Sequence, residues 1–147
     1  MSQAFHGYGS VIKVGDGGDP ETFTTIAEVS SITPSPTQTA EIRVTHLTSP
    51  GAHSEKIAGM RDTGPFTLSG NYIPADPSHS RAGGGLIALS TNREVRNWQI
   101  VLSDEDNTIW TFRGFVSNFQ VGEIGADDKV SFTCAVTVAE DPTAGLP

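Results

Sequence analysis

Four histidines and one cysteine are the side chains of this sequence best suited to metal binding or nucleophilic catalysis. The histidines are His6, His46, His53 and His79. No two of them have the spacing that places a pair of zinc ligands on one face of a helix, and Cys134 has no second cysteine beside it. We therefore predict no metal site, and we expect the histidines to lie at the surface or in turns.

Cys134 lies in the segment VSFTCAVTV, where apolar residues alternate with Ser, Thr and Ala. This alternation places Cys134 on the apolar side of a strand, where a lone cysteine behaves as a small hydrophobic residue. A reactive thiol is the alternative. We expect a buried cysteine and no disulfide within the chain.

Acidic residues around a glycine-rich segment could supply oxygen ligands to calcium. Asp16, Asp19 and Glu21 lie in or beside the sequence GDGGD, but their spacing does not match an EF-hand loop. The segment also lacks the lysine of a phosphate-binding loop and the glycine spacing of a dinucleotide fold. We interpret it as a hairpin turn with solvated carboxylates, and we predict no cofactor.

An acid–base pair assembled by the fold is a further alternative, because Asp62 could approach Glu55 or His53. A glycosidase-like site of this kind usually needs a cleft lined with aromatic side chains. Aromatic residues make up only 7% of the chain, and most fall on the apolar faces of predicted strands. We predict no catalytic residues.

The elements that must position these residues are mostly strands. Alternating polarity, interrupted by turn residues, predicts a mainly β domain of seven or eight antiparallel strands. The predicted strands cover residues 8–14, 23–32, 40–47, 66–73, 97–102, 110–116 and 129–138.

One segment departs from this pattern. Asp76 suits an N-cap and Pro77 suits the first helical position, so a helix of about three turns is expected to run from Pro77 to Ser90. The glycines at 83–85 disfavour a helix by about 1 kcal/mol each relative to alanine, and they permit close approach of another backbone. An irregular loop is the alternative.

Long loops are predicted at residues 33–39 and 48–63. A loop as long as the second is unusual inside a compact domain and tends to be functional. It also contains Ile57 and Met60, which have no predicted partner in a single domain.

The chain has 147 residues, which fits one domain, 1–147, with terminal arms at 1–7 and 139–147 that carry the isolated apolar residues Phe5 and Leu146. Its formal net charge is −8, which disfavours tight binding of nucleic acid. No apolar run is long enough to cross a membrane, and the first ten residues do not resemble a secretion signal.

The order of features between residues 23 and 72 resembles the major tail tube protein of long-tailed, non-contractile bacteriophages. That family typically carries T-x-I-A-x-V, then V-T-x-L, then a G-x-x-D-x-G run that leads into a strand ending in Asn-Tyr. The matching positions are Thr25, Ile26, Ala27, Val29, Val44, Thr45, Leu47, Gly59, Asp62, Gly64, Asn71 and Tyr72. The three glycines in the predicted helix depart from the family pattern.

The resemblance implies an antiparallel β-sandwich or barrel with one flanking α-helix. It also implies that six subunits close into a ring and that rings stack into a tube in the virion tail, assembled in the host cytoplasm. The implied partners are further copies of the chain, the tape-measure protein, and tail terminator and tip proteins. DNA would pass through the lumen without tight binding, and no membrane is involved.

Open strand edges support assembly physically, because edge-to-edge joining of subunits removes exposed edges. We predict that the subunit interface contains Ile57, Gly59, Met60, Arg61, Asp62, Phe5 and Leu146. Packing of Ile57 and Met60 on their own domain is the alternative. Two other functions stay open: a tube protein of a contractile or type VI secretion machine, and a β-sandwich capsid decoration or binding module.

Overall fold

The computed structural model describes residues 4–34 and 36–140, and these residues form nine strands, one α-helix and one short 3-10 turn. The elements are β1 (Val11–Gly15), β2 (Phe23–Thr25), β3 (Val29–Thr33), β4 (Thr37–Arg43), the 3-10 turn (Pro50–Ala52), β5 (Lys56–Thr63), β6 (Phe66–Asn71), α1 (Leu86–Asn92), β7 (Val95–Val101), β8 (Ile109–Val121) and β9 (Ser131–Val138). All strand pairings are antiparallel, which confirms the predicted fold class.

Seven of these strands form one sheet in the order β2-β1-β7-β8-β9-β6-β3. The edge strands β2 and β3 are consecutive in sequence and are joined by residues 26–28 alone. The sheet must therefore curl until its two edges are near each other. Within the described residues β2 and β3 do not pair, so this barrel-like curl is not closed.

The concave side of the curled sheet holds the hydrophobic core. Phe66 and Phe112 stack with ring centroids 4.3 Å apart, and Trp98 also stacks with Phe112, at 6.3 Å. The indole N–H of Trp98 donates to the carbonyl of Gly114 at 3.1 Å, so its polar atom is paired. The buried cluster consists of Ile12, Ile26, Phe66, Leu68, Leu86, Leu89, Trp98, Ile100, Phe112, Val116, Phe132, Cys134 and Val136.

β8 is the longest strand, and it joins the two halves of the sheet. Its first part pairs with β7 and its second part pairs with β9. The register with β9 shifts between Val116 and Asn118, and the hydroxyl of Ser117, at this bulge, donates to the carbonyl of Ala135. A bulge bends and twists a strand locally, which is what a strand shared by two halves of a curled sheet requires.

The predicted helix at 77–90 is wrong at its start, because α1 begins only at Leu86. Asp76 does cap a turn: its carboxylate accepts hydrogen bonds from the N–H and hydroxyl of Ser78. The chain then folds back on itself. A Cβ at Gly83 would lie 2.5 Å from Pro77 Cα, and one at Gly85 would lie 2.3 Å from the Ser78 carbonyl carbon. The glycines thus permit the close backbone approach that was predicted, and the irregular alternative is correct for this stretch.

His79 lies in a turn, which is one of the two expected places for a histidine, but its side chain is fully buried. Its Nδ1 accepts from the N–H of Ile73 at 3.2 Å, and its Nε2 donates to the carbonyl of Ala27 at 2.8 Å. These two partners require a neutral ring with the proton on Nε2. The imidazole therefore connects the turn between β2 and β3 to the segment after β6.

Several predicted boundaries change in the first half of the chain. The predicted loop 33–39 is shorter and the predicted strand 40–47 is shifted, because β3 ends at Thr33 and β4 is Thr37–Arg43. The predicted strand 23–32 is two strands, because Glu28 in the intervening turn has a φ of 58°. The predicted loop 48–63 is also wrong in its second half, because Lys56–Thr63 is β5. Its alternation was hidden by an extra residue at positions 59–60, which shifts the pairing register with β4.

Cys134 is fully buried, as predicted, and burial raises the pKa of its thiol to about 12. In the ranges that the structure describes, no helix is long and apolar enough to cross a membrane.

Candidate assembly interface

Strands β4 and β5 form a hairpin that is a sheet of its own. Thr37 pairs with Thr63 at its base and Arg43 pairs with Lys56 near its tip. Every residue of β4 is exposed, and β5 contains no buried residue. The hairpin therefore projects from the body of the domain and has two uncovered faces.

One face of the hairpin is apolar. Ile42 and Ile57 lie directly opposite each other and are 48% and 53% exposed. Met60 follows on this side of β5 after the bulge and is 86% exposed, and Val44 continues the same side of β4. Apolar side chains arranged this way leave hydrophobic surface in water unless another molecule covers it.

The opposite face of the hairpin is charged. Lys56 Nζ lies 2.9 Å from Glu41 Oε2, and Arg43 Nη2 donates to the hydroxyl of Ser54 at 3.0 Å. Arg61 lies on this face opposite Thr39. The exposed Lys56–Glu41 ion pair contributes little to stability, since water screens it.

The hairpin tip is held by a polar network around Glu55. The Ser49 hydroxyl donates to the Glu55 carboxylate at 2.7 Å, and His46 Nε2 lies 3.4 Å from the same oxygen. Leu47 lies at this tip with its side chain fully exposed. The network shapes the turn without burying that leucine.

The structure brings five of the seven predicted interface residues together on β5. Ile57 and Met60 lie on the apolar face, and Asp62 pairs with Gln38 on the same side. A Cβ at Gly59 would lie 3.2 Å from Ile42 Cδ1, so this glycine leaves room for the isoleucine. Arg61 lies on the charged face.

The other two predicted residues lie elsewhere. Phe5 is 54% exposed in the N-terminal segment, whose His6 carbonyl accepts from the Ser103 hydroxyl at 2.9 Å. Leu146 lies outside the described residues. Sequence reasoning also missed Ile42, Val44 and Leu47 as surface residues, because the alternation of AEIRVTHL is equally typical of a strand that covers a core.

The alternative acid–base pair does not form. Asp62 lies near the hairpin base and Glu55 at the tip, with Val44 N–H bonded to the Glu55 carbonyl. Seven residues of strand put these carboxylates roughly 20 Å apart. His53 also belongs to the tip.

The glycine-rich segment is an ordered turn. Asp16 accepts from the N–H groups of Gly18, at 2.8 Å, and Thr22, at 3.1 Å, and these bonds hold the pKa of its carboxyl below the usual value. Glu21 accepts from the amide of Asn97 at 2.7 Å. Within residues 4–34 and 36–140, no group of three or more His, Cys, Asp and Glu side chains could hold a metal ion.

Comparison with known families finds one match, which covers residues 11–145 of this chain. That family is described as "Lambda phage tail tube protein, TTP". Comparison with curated proteins found no match.

Solved structures with the same fold come from tail-like particles. A chain from the tail of an empty gene transfer agent particle, refined with C6 symmetry, has a TM-score of 0.71 at 20% identity over 94% of this chain and 96% of that one. A chain from the tube terminator structure of an extracellular contractile injection system has a TM-score of 0.69 at 14% identity, covering 95% and 96%. A chain from an anti-feeding prophage baseplate has a TM-score of 0.67 at 11% identity, covering 95% of each.

Proposed function

This chain belongs to the lambda phage tail tube protein family, and we propose that it builds the tube by closing six copies into a ring and stacking the rings through its β4–β5 hairpin. The six-fold count is supported by the C6 symmetry of the similar gene transfer agent tail. The proposed role is structural and uses no catalytic group or cofactor.

The observation that carries this proposal is the uncovered apolar face of the hairpin. Ile42, Ile57 and Met60 form a continuous apolar surface on an element that contributes nothing to the chain's own core. A copy of the chain in the next ring would cover that surface, and in a stack of rings every copy gives and receives the same contact. Phe5, Leu146 and the remaining β5 residues Gly59, Arg61 and Asp62 belong to the proposed interface.

The tube would be a conduit for DNA and a housing for the tape-measure protein, and terminator and tip proteins would close its ends. Assembly would take place in the host cytoplasm. The net charge of −8 supports a conduit, because a chain that is acidic overall does not bind phosphates tightly. A contractile or type VI tube is the second candidate, since the injection-system and prophage structures share the fold.

The double variant Ile57→Asp, Met60→Asp tests the proposal. Both side chains are exposed in the single chain, so its melting temperature should stay within about 2 °C of wild type, as expected for surface changes. In the assembled state each aspartate would be buried against apolar surface, at a cost of several kcal/mol per contact. Electron microscopy should therefore show tubes for wild type and none for the variant.

A matched control places two aspartates on the opposite face, as Thr37→Asp with Thr39→Asp, and it should assemble. Loss of tubes in this control too would attribute the defect to added charge. Normal tubes from the Ile57, Met60 variant would place the contact elsewhere, and failure of that variant to fold would assign the two residues to their own domain. Each of these results contradicts the proposal.

A further inference from the structure

On one half of the convex, outward surface of the seven-stranded sheet, the strands carry no charged side chain. The one carboxylate hydrogen-bonded to this half lies at its end, where Glu28, in the turn before β3, accepts from the Asn71 amide at 2.7 Å. Across β3, β6, β9 and the second part of β8, one row of outward residues reads Ser31, Ser69, Thr133 and Gln120. The outward positions on either side of this row, within residues 30–33, 67–71, 117–120 and 131–137, are also only Ser, Thr, Asn or Ala. We call this surface the hydroxyl face.

The other half of the outward surface is chemically different. On β7 and the first part of β8, Val95 lies opposite Phe115 and Val101 lies opposite Ile109. Lys13 and Arg113 add positive charges on the same side, and Arg113 Nε lies 3.5 Å from Glu140 Oε1. This half has the apolar and aromatic side chains that are enriched in subunit contacts, whereas the hydroxyl face has none.

Several hydroxyls of the hydroxyl face bond to groups of the face itself. The Ser31 and Ser69 hydroxyl oxygens are 2.5 Å apart, and the Ser30 hydroxyl donates to the Ser69 carbonyl at 3.1 Å. Ser117 likewise donates to the Ala135 carbonyl. These hydroxyls are already engaged, which leaves fewer donors for a passing phosphate group.

A tube has a lumen, and a polyanion that moves through it is held back by every cation on the wall. A wall of carboxylates would instead repel the polyanion and narrow the usable channel. The hydroxyl face avoids both effects, and it is too polar to form the dry centre of a subunit contact. Its strands β3 and β6 lead directly into β4 and β5, so the stacking hairpin rises from the same edge of the sheet.

We propose that the hydroxyl face lines the lumen of the tube and that double-stranded DNA, a polyanion, passes along this face without binding tightly to it. This inference rests on the proposed function. The outward half formed by β1, β7 and the first part of β8 then lies in subunit contacts or on the outside of the tube.

Cysteine accessibility tests the assignment. Thr133→Cys places a thiol on the hydroxyl face, and Thr111→Cys is the matched control, an exposed threonine at the outward centre of β8 on the other half. Wild type gives the background, because Cys134 is buried. In free chains both variants should react with a small maleimide and with a maleimide on a long polyethylene glycol chain. In assembled tubes, Thr133→Cys should keep its reaction with the small reagent and lose its reaction with the polymer.

Reaction of Thr133→Cys tubes with the polymer reagent would place the hydroxyl face outside, and reaction with neither reagent would place it in a subunit contact. Loss of tubes in Thr133→Cys alone would also overturn the assignment, because a lumen residue has no partner to lose. If wild type forms no tubes, the proposed function itself fails, which is a separate result.

A charge variant tests the chemistry of the wall. Thr133→Lys tubes should retain short duplex DNA at low salt in a form protected from nuclease and release it at high salt, while wild-type tubes retain none. DNA bound to Thr111→Lys tubes should be digested. Digestion of the DNA on Thr133→Lys tubes, or no binding to them, would contradict the inference.

Discussion

The body of the domain and the β4–β5 hairpin use the same alternating pattern with opposite results. In the body, Phe66, Leu68 and Phe132 alternate with polar residues and are almost completely buried by the chain's own sheet and helix. In the hairpin, Ile42 and Ile57 alternate with charged residues and are about half exposed. Period-two alternation thus predicts a strand with one apolar face, but it does not say which molecule covers that face.

Truncating one residue from each region tests this difference most directly. Phe66→Ala removes a ring that is 1% exposed and stacked on Phe112, so we expect the free energy of unfolding to fall by about 3–5 kcal/mol. Ile42→Ala should change it by no more than about 0.5 kcal/mol in the unassembled chain. Denaturant titration of both variants measures the difference, and equal losses would mean that the hairpin shares the core.

A smaller effect is expected from the buried imidazole of the body. His79→Leu leaves the Ile73 N–H and the Ala27 carbonyl without their partner, which should destabilise the chain by about 2 kcal/mol in total. His79→Gln offers an amide donor and acceptor and should recover part of the loss. Thermal melts of the two variants measure this. If both variants lose the same stability, the shape of the His79 side chain, and not its hydrogen bonds, accounts for its contribution to stability.

The smallest expected difference between the two regions is in how their carboxylates make stability depend on pH. The pKa values of Asp16, Asp76 and Asp104 are lowered from 3.8, and all three lie in turns of the body. For Asp104 the cause is hydrogen bonding from the hydroxyl and N–H of Thr108. A lowered folded-state pKa contributes stability above the unfolded pKa, and that contribution disappears as the pH falls below about 4.

Asp104→Asn should therefore flatten the acid side of the stability profile of the body. Glu41→Gln, which removes the exposed hairpin ion pair, is the matched control and should change the free energy of unfolding at neutral pH by no more than about 0.5 kcal/mol. Unfolding curves measured from neutral to acid pH test both. A steeper fall in the stability of Asp104→Asn at acid pH would contradict this prediction.

Much of the body could be predicted from the sequence, because its alternation is regular. The alternation around Phe132, Cys134 and Val136 predicts β9 and its buried side. The turn residues at 104–107 correctly predict the break between β7 and β8. These features depend on neighbours in sequence alone, so a periodic pattern suffices to predict them.

The features that were missed depend on contacts between distant backbones. β5 was mistaken for loop because the bulge at Gly59 and Met60 interrupts its period. The start of α1 was misplaced because Gly83 and Gly85 lie against residues of the preceding turn. The burial of His79 depends on the Ala27 carbonyl, far away in sequence. The exposure of Ile57 and Met60 was suspected only because they had no visible partner, and their place in an interface stays a prediction.

The pairing of β1 with β7 affects the order in which a newly made chain can fold. Val11 pairs with Val101, so β1 has no neighbour on that side until two thirds of the chain has left the ribosome. The hairpin needs only residues 37–63, and local pairings form sooner than distant ones. A nascent chain thus displays its apolar hairpin before its body is complete, and adjacent chains on one messenger RNA can associate through it while still unfolded. Slow translation after residue 63 would lengthen this exposure and favour aggregates over tubes.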